Sequence, residues 1–293
     1  MHPDYSPQKK SNYQSYEYNV MEIRGKHFIV NTRREDTAEF IKYCKCDGLT
    51  LYEVFRIIEK KPLFLEDHIR RFAHSASLAG VELPINQHEI KATVFELIRT
   101  NRFRNANIKL IACYPRDAQP YFCAYFVEHQ YPTPAMFKNG VETVTLSAIR
   151  VNPNAKIFNT ALRNETNEIK SRLKIYEVLL VDEKGNITEG SRSNFFAIRN
   201  GEVITPPLQD VLPGVTRMHV IEACIRLGYS INETNISPGD AAMCDAVFIT
   251  GTSRKILPIR KIDELTFRVD NPVMRALMDE FAVIVRQYLA TIK

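Results

Sequence analysis

No stretch of this 293-residue sequence approaches the roughly 20 consecutive apolar residues of a membrane span, so a helical membrane protein is excluded. The first twenty residues, MHPDYSPQKKSNYQSYEYNV, lack the apolar segment of a signal peptide, and the cytoplasm is the expected location. No block of like charge occurs: 39 basic and 34 acidic residues give +5 without clustering, and RTNRFR at 99–104 reads as a solvated helix end followed by a turn. A nucleic-acid surface concentrates its Lys and Arg, so none is expected, and the charge suits anionic small molecules instead. Six cysteines are scattered, and only Cys44 and Cys46 are close, without the paired spacing of a zinc site. All six are expected to be reduced thiols, with no metal bound. There is no internal repeat at a fixed period.

What is present is a 45% hydrophobic composition, enough for the core of one large or two ordinary domains. Residues 1–16 are polar and expected to be poorly ordered. Strand-like runs at 22–31 and 50–59 flank a segment, 32–47, that periodicity does not settle. Helices fit 66–79, where Ile69, Phe72, Ala73 and Ala76 share a face and Gly80 can end it, and 87–100, with Ile90, Val94, Leu97 and Ile98 on one side. Strands at 108–114 and 122–128 complete an α/β domain over 17–130, and HQYPTP marks a linker, set at 131–136. A second domain, 137–293, contains a strand at 141–150 and a helix at 160–174 on which Leu162, Thr166, Ile169 and Leu173 line up. Strands at 177–182 and 194–198, a hairpin signal at Asn200-Gly201 and a helix at 216–227 follow. A buried strand at 246–250 and a C-terminal helix opened by Pro272 complete it, that helix burying Leu277, Phe281, Ile284 and Tyr288.

The run from 176 to 258 carries EGSRSN, LPGVTR and TGTS in that order. In LPGVTR a helix opens at Gly-Val-Thr, and its first amides have no intrahelical partners, which favours an anion such as phosphate. Successive amides around Gly251 in TGTS can form an anion-binding nest. Glu189 has Ile187, Phe195 and Phe196 as apolar neighbours, and a buried acid there needs a partner, such as a ring nitrogen that must stay protonated. Taken singly, the LPGVTR and TGTS segments also fit an ordinary helix start and loop, and Glu189 an edge carboxylate in water.

The ordered set HIRRFAHSA (68–76), KIFN (156–159), YEVLLVDEKGNITEGSRSN (176–194), LPGVTR and TGTS resembles the class IV, fold-type IV aminotransferases, which use pyridoxal 5'-phosphate. That family includes branched-chain aminotransferases, D-amino-acid aminotransferase and aminodeoxychorismate lyase. The resemblance runs from about residue 47 to 263. It implies an α/β (α+β) fold of two domains, a small N-terminal α/β domain and a larger C-terminal pseudobarrel domain, with the cofactor in the cleft between them. It also implies a homodimer whose partner subunit helps to wall the substrate site.

By position, the resemblance makes Lys156 the Schiff-base lysine; Lys170 and Lys174 rival it in composition only, at helix positions of a kind normally solvated. Arg71 matches the arginine that holds the cofactor phosphate, although Phe72 replaces the usual Leu after it. Glu189 matches the acid on the pyridine nitrogen, while Ser193, Asn194, Leu212, Val215, Thr216 and Thr252 match cofactor-binding positions. Tyr52, Lys109, Tyr114, Arg116 and Ser253 fall near the substrate. Two departures touch substrate fit: the usual G-D-G-V-F-E run is here D-G-L-T-L-Y-E, and Thr160 stands where a Tyr often follows K-x-x-N. The implied activity is ping-pong transfer of an amino group from a branched-chain-like or D-amino acid to a 2-keto acid, with Lys156 as the proton carrier. The family also offers pyruvate elimination from aminodeoxychorismate, and a catalytically inactive binding homologue is a third reading.

Overall fold

The computed structural model describes residues 16–17, 22–43 and 45–292. The expected N-terminal tail, apart from Tyr16, and Cys44 lie outside the described residues.

A short pair, β1 (Tyr16–Glu17) with β4 (Lys45–Cys46), lies beside the first large sheet. That sheet contains β2 (Ile23–Val30), β3 (Arg33–Asp36), β5 (Leu49–Ile58), β6 (Lys61–Pro62), β7 (Ala106–Tyr114) and β8 (Tyr121–Val127) in the order β3-β2-β8-β7-β5-β6. Its pairings are antiparallel, and the β5–β7 register runs from Leu49 opposite Tyr114 to Ile57 opposite Ala106. Two helices, α1 (Leu65–Leu78) and α2 (Gln87–Asn101), cover one face. The two-residue alternation of a strand sends Leu51, Phe55 and Ile57 towards those helices, where they meet Ile69, Phe72, Val94 and Leu97. Full burial of Phe72 alone contributes roughly 2–3 kcal/mol of transfer free energy. A capping box fixes the start of α2: Asn86 accepts from the Glu89 amide and Glu89 accepts from the Asn86 amide. The opposite face of the sheet gathers Phe28, Phe40, Tyr52, Ile111 and Tyr125.

The second half opens with α3 (Pro134–Asn139), so the last three residues assigned to a linker, 134–136, are helical, with Thr133 as cap. It continues through β9 (Val141–Ser147), α4 (Thr160–Leu173), β10 (Glu177–Val181), β11 (Ile187–Gly190), β12 (Ser193–Arg199), β13 (Glu202–Thr205) and α5 (Val215–Leu227). The remainder is β14 (Ile231–Glu233), α6 (Pro238–Ala242), β15 (Ala246–Gly251), β16 (Lys255–Ile262), β17 (Leu265–Thr266) and α7 (Pro272–Thr291). Nine strands follow the order β11-β10-β9-β16-β15-β12-β13-β14 with β17 on β16, and an added β11–β12 pairing joins the first strand back to the sixth. The sheet therefore closes on itself as a six-stranded barrel. Leu179, Ile187, Phe195, Val247, Ile249 and Leu257 form one core cluster of these strands, while Phe196, Ile198, Phe248 and Ile256 pack with α5 and α7 through Val220, Leu277 and Phe281.

The two sheets meet through apolar and polar contacts at α7. Phe64, which precedes α1, packs on Phe281 and Tyr288. The Tyr288 hydroxyl accepts from the Leu65 amide at 2.8 Å and donates to Glu66 at 2.5 Å.

Three sequence expectations change. The unsettled segment 32–47 contains β3, a 3-10 turn at Thr37–Tyr43 and β4, and it is anchored by buried Phe40. The stripe on α4 is hardly used, since Thr166 is its one buried member and Leu173 is 48% exposed. Cys46 and Cys113 are not reduced thiols: they form a disulfide across 67 residues of sequence, Cα atoms 6.2 Å apart, because β4 is laid against the end of β7. Cys123, Cys224 and Cys244 are free.

Candidate active site

A cavity of about 210 Å³ lies between the two sheets, lined from one side by β5, β7 and α1 and from the other by the 150–156 segment, β11, β12, the start of α5 and the turn after β15. It brings together Tyr52, Arg71, Lys109, Lys156, Glu189, Ser193, Asn194, Leu212, Val215, Thr216, Thr252 and Ser253. Tyr114 and Arg116 are not among its lining residues. The Tyr114 hydroxyl donates to the Glu82 carbonyl at 2.7 Å, and Arg116 is exposed, its amide held by Asp47 at 3.2 Å. Tyr114 is the last paired residue of β7, opposite Leu49, and Arg116 lies two residues beyond it, at the end of the strand away from the cavity residues Asn107 and Lys109.

Lys156 stands in a segment stitched to its neighbours by the backbone. Its amide donates to Ser75 Oγ at 3.0 Å, its carbonyl accepts from the Tyr52 amide at 3.1 Å, and Ile157 bridges to Leu51. The Lys156 Nζ lies 4.6 Å from the centre of the Tyr52 ring. Burial first, and then the positive Arg71 and Arg150, push its amine below the ordinary lysine value, with Tyr52 and Glu53 opposing. The same surroundings draw the Tyr52 phenol down to about 7: burial works against the anion, but Lys156, Arg163 and Arg150 outweigh it. Lys170 is not solvated as expected. Its Nζ lies 3.8 Å from Glu177, its side chain is 15% exposed, and burial lowers its pKa to about 8, yet it does not line the cavity. Lys174 is exposed at the end of α4.

Glu189 is 2% exposed on β11, not an edge carboxylate in water. It accepts from Arg150 Nε at 2.7 Å and from the Leu212 amide at 3.2 Å. A carboxylate has about four lone-pair sites, so acceptor capacity remains. Arg150 was not anticipated: it lies 39 residues away in sequence, and only a fold that brings the end of the 141–150 run over β11 makes them partners.

Arg71 belongs to a buried cluster instead of a surface ion pair. Its Nε and Nη2 donate to the two Glu53 oxygens at 2.8 and 2.5 Å, its Nη1 donates to the Pro213 carbonyl at 3.2 Å, and His68 Nδ1 lies 3.2 Å from Glu53. Three of the five guanidinium N–H groups are thus used, which leaves one on Nη2, with His68 Nδ1 at 3.5 Å, and one on Nη1 to meet an anion in the cavity. Glu53 is fully buried, and although burial alone would raise its carboxyl pKa, Arg71 and His68 hold it far below the usual range. The acid was visible in sequence as the one charge amid the apolar run LTLYEVF, at the spacing that faces α1 with Leu51 and Phe55.

Glu177, also missed, is fully buried and organises the 191–193 turn and the Arg254 side chain. It accepts from Ser191 Oγ at 2.5 Å and Ser193 Oγ at 3.1 Å, and lies 3.1 Å from Arg254. Ser253 accepts from Asn107 Nδ2 at 2.9 Å, and Asn107 in turn accepts from the Tyr131 hydroxyl at 2.8 Å.

An anionic, aldehyde-bearing pyridine fits this donor set. Gly214 caps α5 with no side-chain oxygen on its first amides, so those N–H groups are left for a ligand at a positive helix end. A Cβ at Gly214 would run into Asn194 Oδ1, which itself is fixed by donation from Nδ2 to the Leu212 carbonyl at 2.9 Å. The neighbouring turn presents Gly251, Thr252 and Ser253 to the same cavity, with the Thr252 hydroxyl donating to the Val54 carbonyl at 3.3 Å. One amine of lowered basicity, one buried carboxylate and two amide-rich turns thus converge on a single space.

A closed barrel joined to a second antiparallel sheet, with this cavity between them, is the architecture of a fold-type IV enzyme. Residues 50–262 match the family described as Amino-transferase class IV, and the chain belongs to that family. It is 28% identical over 234 residues to D-alanine aminotransferase of Bacillus licheniformis, covering 75% of this chain and 81% of the relative. The branched-chain-amino-acid aminotransferase of Escherichia coli strain K12 is 26% identical over 242 residues, covering 74% and 77%. The fold is shared with the T.th. branched-chain amino acid aminotransferase solved with pyridoxamine 5'-phosphate, at a TM-score of 0.80 and 24% identity over 91% of this chain and 96% of that one. The protein is accordingly an enzyme of the pyridoxal-phosphate-dependent class IV family.

Proposed function

We propose that the protein is an aminotransferase that moves an amino group from an amino acid to a 2-keto acid by a ping-pong reaction. The observation that carries this is the pairing, in one cavity, of a lysine of depressed basicity with a buried acid, Lys156 and Glu189, in a chain of this family. The bound cofactor supplies an electron-withdrawing ring that acidifies the substrate α-carbon.

The α5 amides, Thr216, Thr252 and the remaining Nη1 N–H of Arg71 would hold the phosphate, with Ser193, Asn194, Leu212 and Val215 walling the ring. Glu189, held in place by Arg150, would face the ring nitrogen and keep its proton. Lys156, its basicity lowered first by burial, would carry the proton from the substrate α-carbon and return it one carbon away. Tyr52 lies beside that amine as a wall. Ser253, held by Asn107, and Lys109 face the substrate. Residues 17–130 and 137–293 act as two domains with the cofactor between them, and two copies form the working dimer.

Borohydride reduction followed by peptide mass mapping tests the assignment. The cofactor is expected on the peptide containing Lys156, and Lys156→Ala should abolish both the adduct and amino transfer. An adduct of the same yield on Lys170, or one that survives Lys156→Ala, overturns it. A panel of L- and D-amino acids with several keto acids reads the transfer itself, and pyruvate release from aminodeoxychorismate would favour the lyase chemistry of the same family.

A further inference from the structure

A second cavity, of about 500 Å³, adjoins the first along Arg71, Gly214 and Val215 but is otherwise walled by residues that the first does not touch. It lies between α1, which contributes Asp67 and Arg70, and the start of α5, while Leu208, Pro213, Met218 and Ile221 give it an apolar wall. Leu208 and Met218 are 45% and 42% exposed, so two large apolar side chains stand in water where the body of a ligand would cover them. A volume of this size suits a small molecule.

The same cavity is lined by Arg217, which is 3% exposed. Its Nη2 donates to the Pro206 carbonyl at 3.1 Å and lies 2.9 Å from Glu233. Its Nε, closed off from water, has no acceptor among the described residues, and none of them accepts from its Nη1. A buried guanidinium with unused N–H groups carries a desolvation cost that a ligand oxygen would offset. The acids nearby are already engaged: Glu233 accepts from the Leu208 amide at 3.0 Å, and Asp67 is shared between Arg70 at 2.9 Å and His219 at 3.0 Å. The cavity therefore calls for an acceptor, and the two carboxylates in its wall disfavour a ligand of more than one negative charge.

We propose that this second cavity binds an apolar monocarboxylic acid, its chain against Leu208, Met218 and Ile221 and its carboxylate on the spare N–H groups of Arg217. None of these four residues lines the cavity that holds Lys156 and Glu189, so the site is separate from the amino-transfer chemistry and does not depend on that reading.

Octanoate, and octyltrimethylammonium as a probe with an alkyl chain of similar length but no acceptor, can be titrated calorimetrically into the cofactor-loaded protein. Octanoate should bind at least about tenfold more tightly, on the order of one charge-assisted hydrogen bond. Met218→Trp, which fills the cavity from an exposed helix position, should weaken octanoate several-fold and leave amino transfer unchanged. Arg217→Lys keeps the charge but loses the Nε donor, and it should weaken octanoate too; because Arg217 is buried, circular dichroism checks that variant's fold, and Met218→Trp carries the test if it does not fold. Equal affinities for the two probes, no octanoate binding, or octanoate binding that Met218→Trp leaves unchanged would overturn the proposal, the last by placing the acid in the main cavity. Octanoate binding weakened in Met218→Trp yet unchanged in a folded Arg217→Lys would refute the contact between the carboxylate and Arg217.

Discussion

Replacing Glu53 by Gln removes the negative centre of the Arg71–Glu53–His68 cluster while keeping its shape. Glu53 is fully buried and Arg71 is 9% exposed, so the arginine would be left as an uncompensated buried charge with two donors facing an amide. Breaking a buried pair from one side costs about 3–5 kcal/mol. The pH dependence has a definite sign. Because the folded-state carboxyl pKa is depressed, its stabilisation is complete above the unfolded value, near 4, and disappears as the pH falls through the folded value. Urea unfolding followed by circular dichroism should therefore show the full difference between wild type and Glu53→Gln from about pH 8 to about pH 5, and a shrinking one below about pH 4. Since Arg71 also lines the cavity, cofactor affinity should fall in the same variant. A stability difference under about 1 kcal/mol at pH 7, or one that grows on acidification, would refute the reasoning.

The Cys46–Cys113 disulfide predicts that a thiol assay on the denatured protein finds two fewer reactive groups before reduction than after it. By the chain-entropy estimate a closed loop of this length contributes about 4 kcal/mol, so Cys113→Ala should lower the melting temperature, and an unchanged one would contradict the bond. In the cofactor-free protein, ultraviolet titration should find one tyrosine ionising near pH 7, well below the ordinary value near 10, and Tyr52→Phe should remove that step alone. Persistence of the step in Tyr52→Phe would assign it elsewhere.

How much of this was legible in the sequence depended on whether the signal was local. The face of α2 and the stop at Gly80 follow from side chains three or four residues apart, and both helices end within a residue or two of the expected positions. The 32–47 segment has no such period because its order comes from Phe40 packing on Phe28 and Tyr125, which periodicity along the chain cannot register. On α4 the periodic residues misled: Leu173 repeats at helical spacing yet faces outward. The cavity residues Lys156, Glu189 and Thr216 were placed by motif. Their supports were not, because Arg150 and Glu177 act across folds of the backbone, and Cys46 meets Cys113 only once β5 and β7 are paired.

The barrel has a consequence for how the molecule is made. The first sheet is complete once residue 127 has left the ribosome, since β2 through β8 need no later strand. The barrel must wait: β9 needs β16, whose last strand residue is Ile262, and loop closure over such a separation is slow. During synthesis at roughly 5–20 residues per second, β9 waits for β16 and β12 for β15, so both spend several seconds without all their neighbours. That interval, and not the finished structure, is where this chain is most exposed to aggregation, and chaperone capture of the nascent polypeptide should concentrate there.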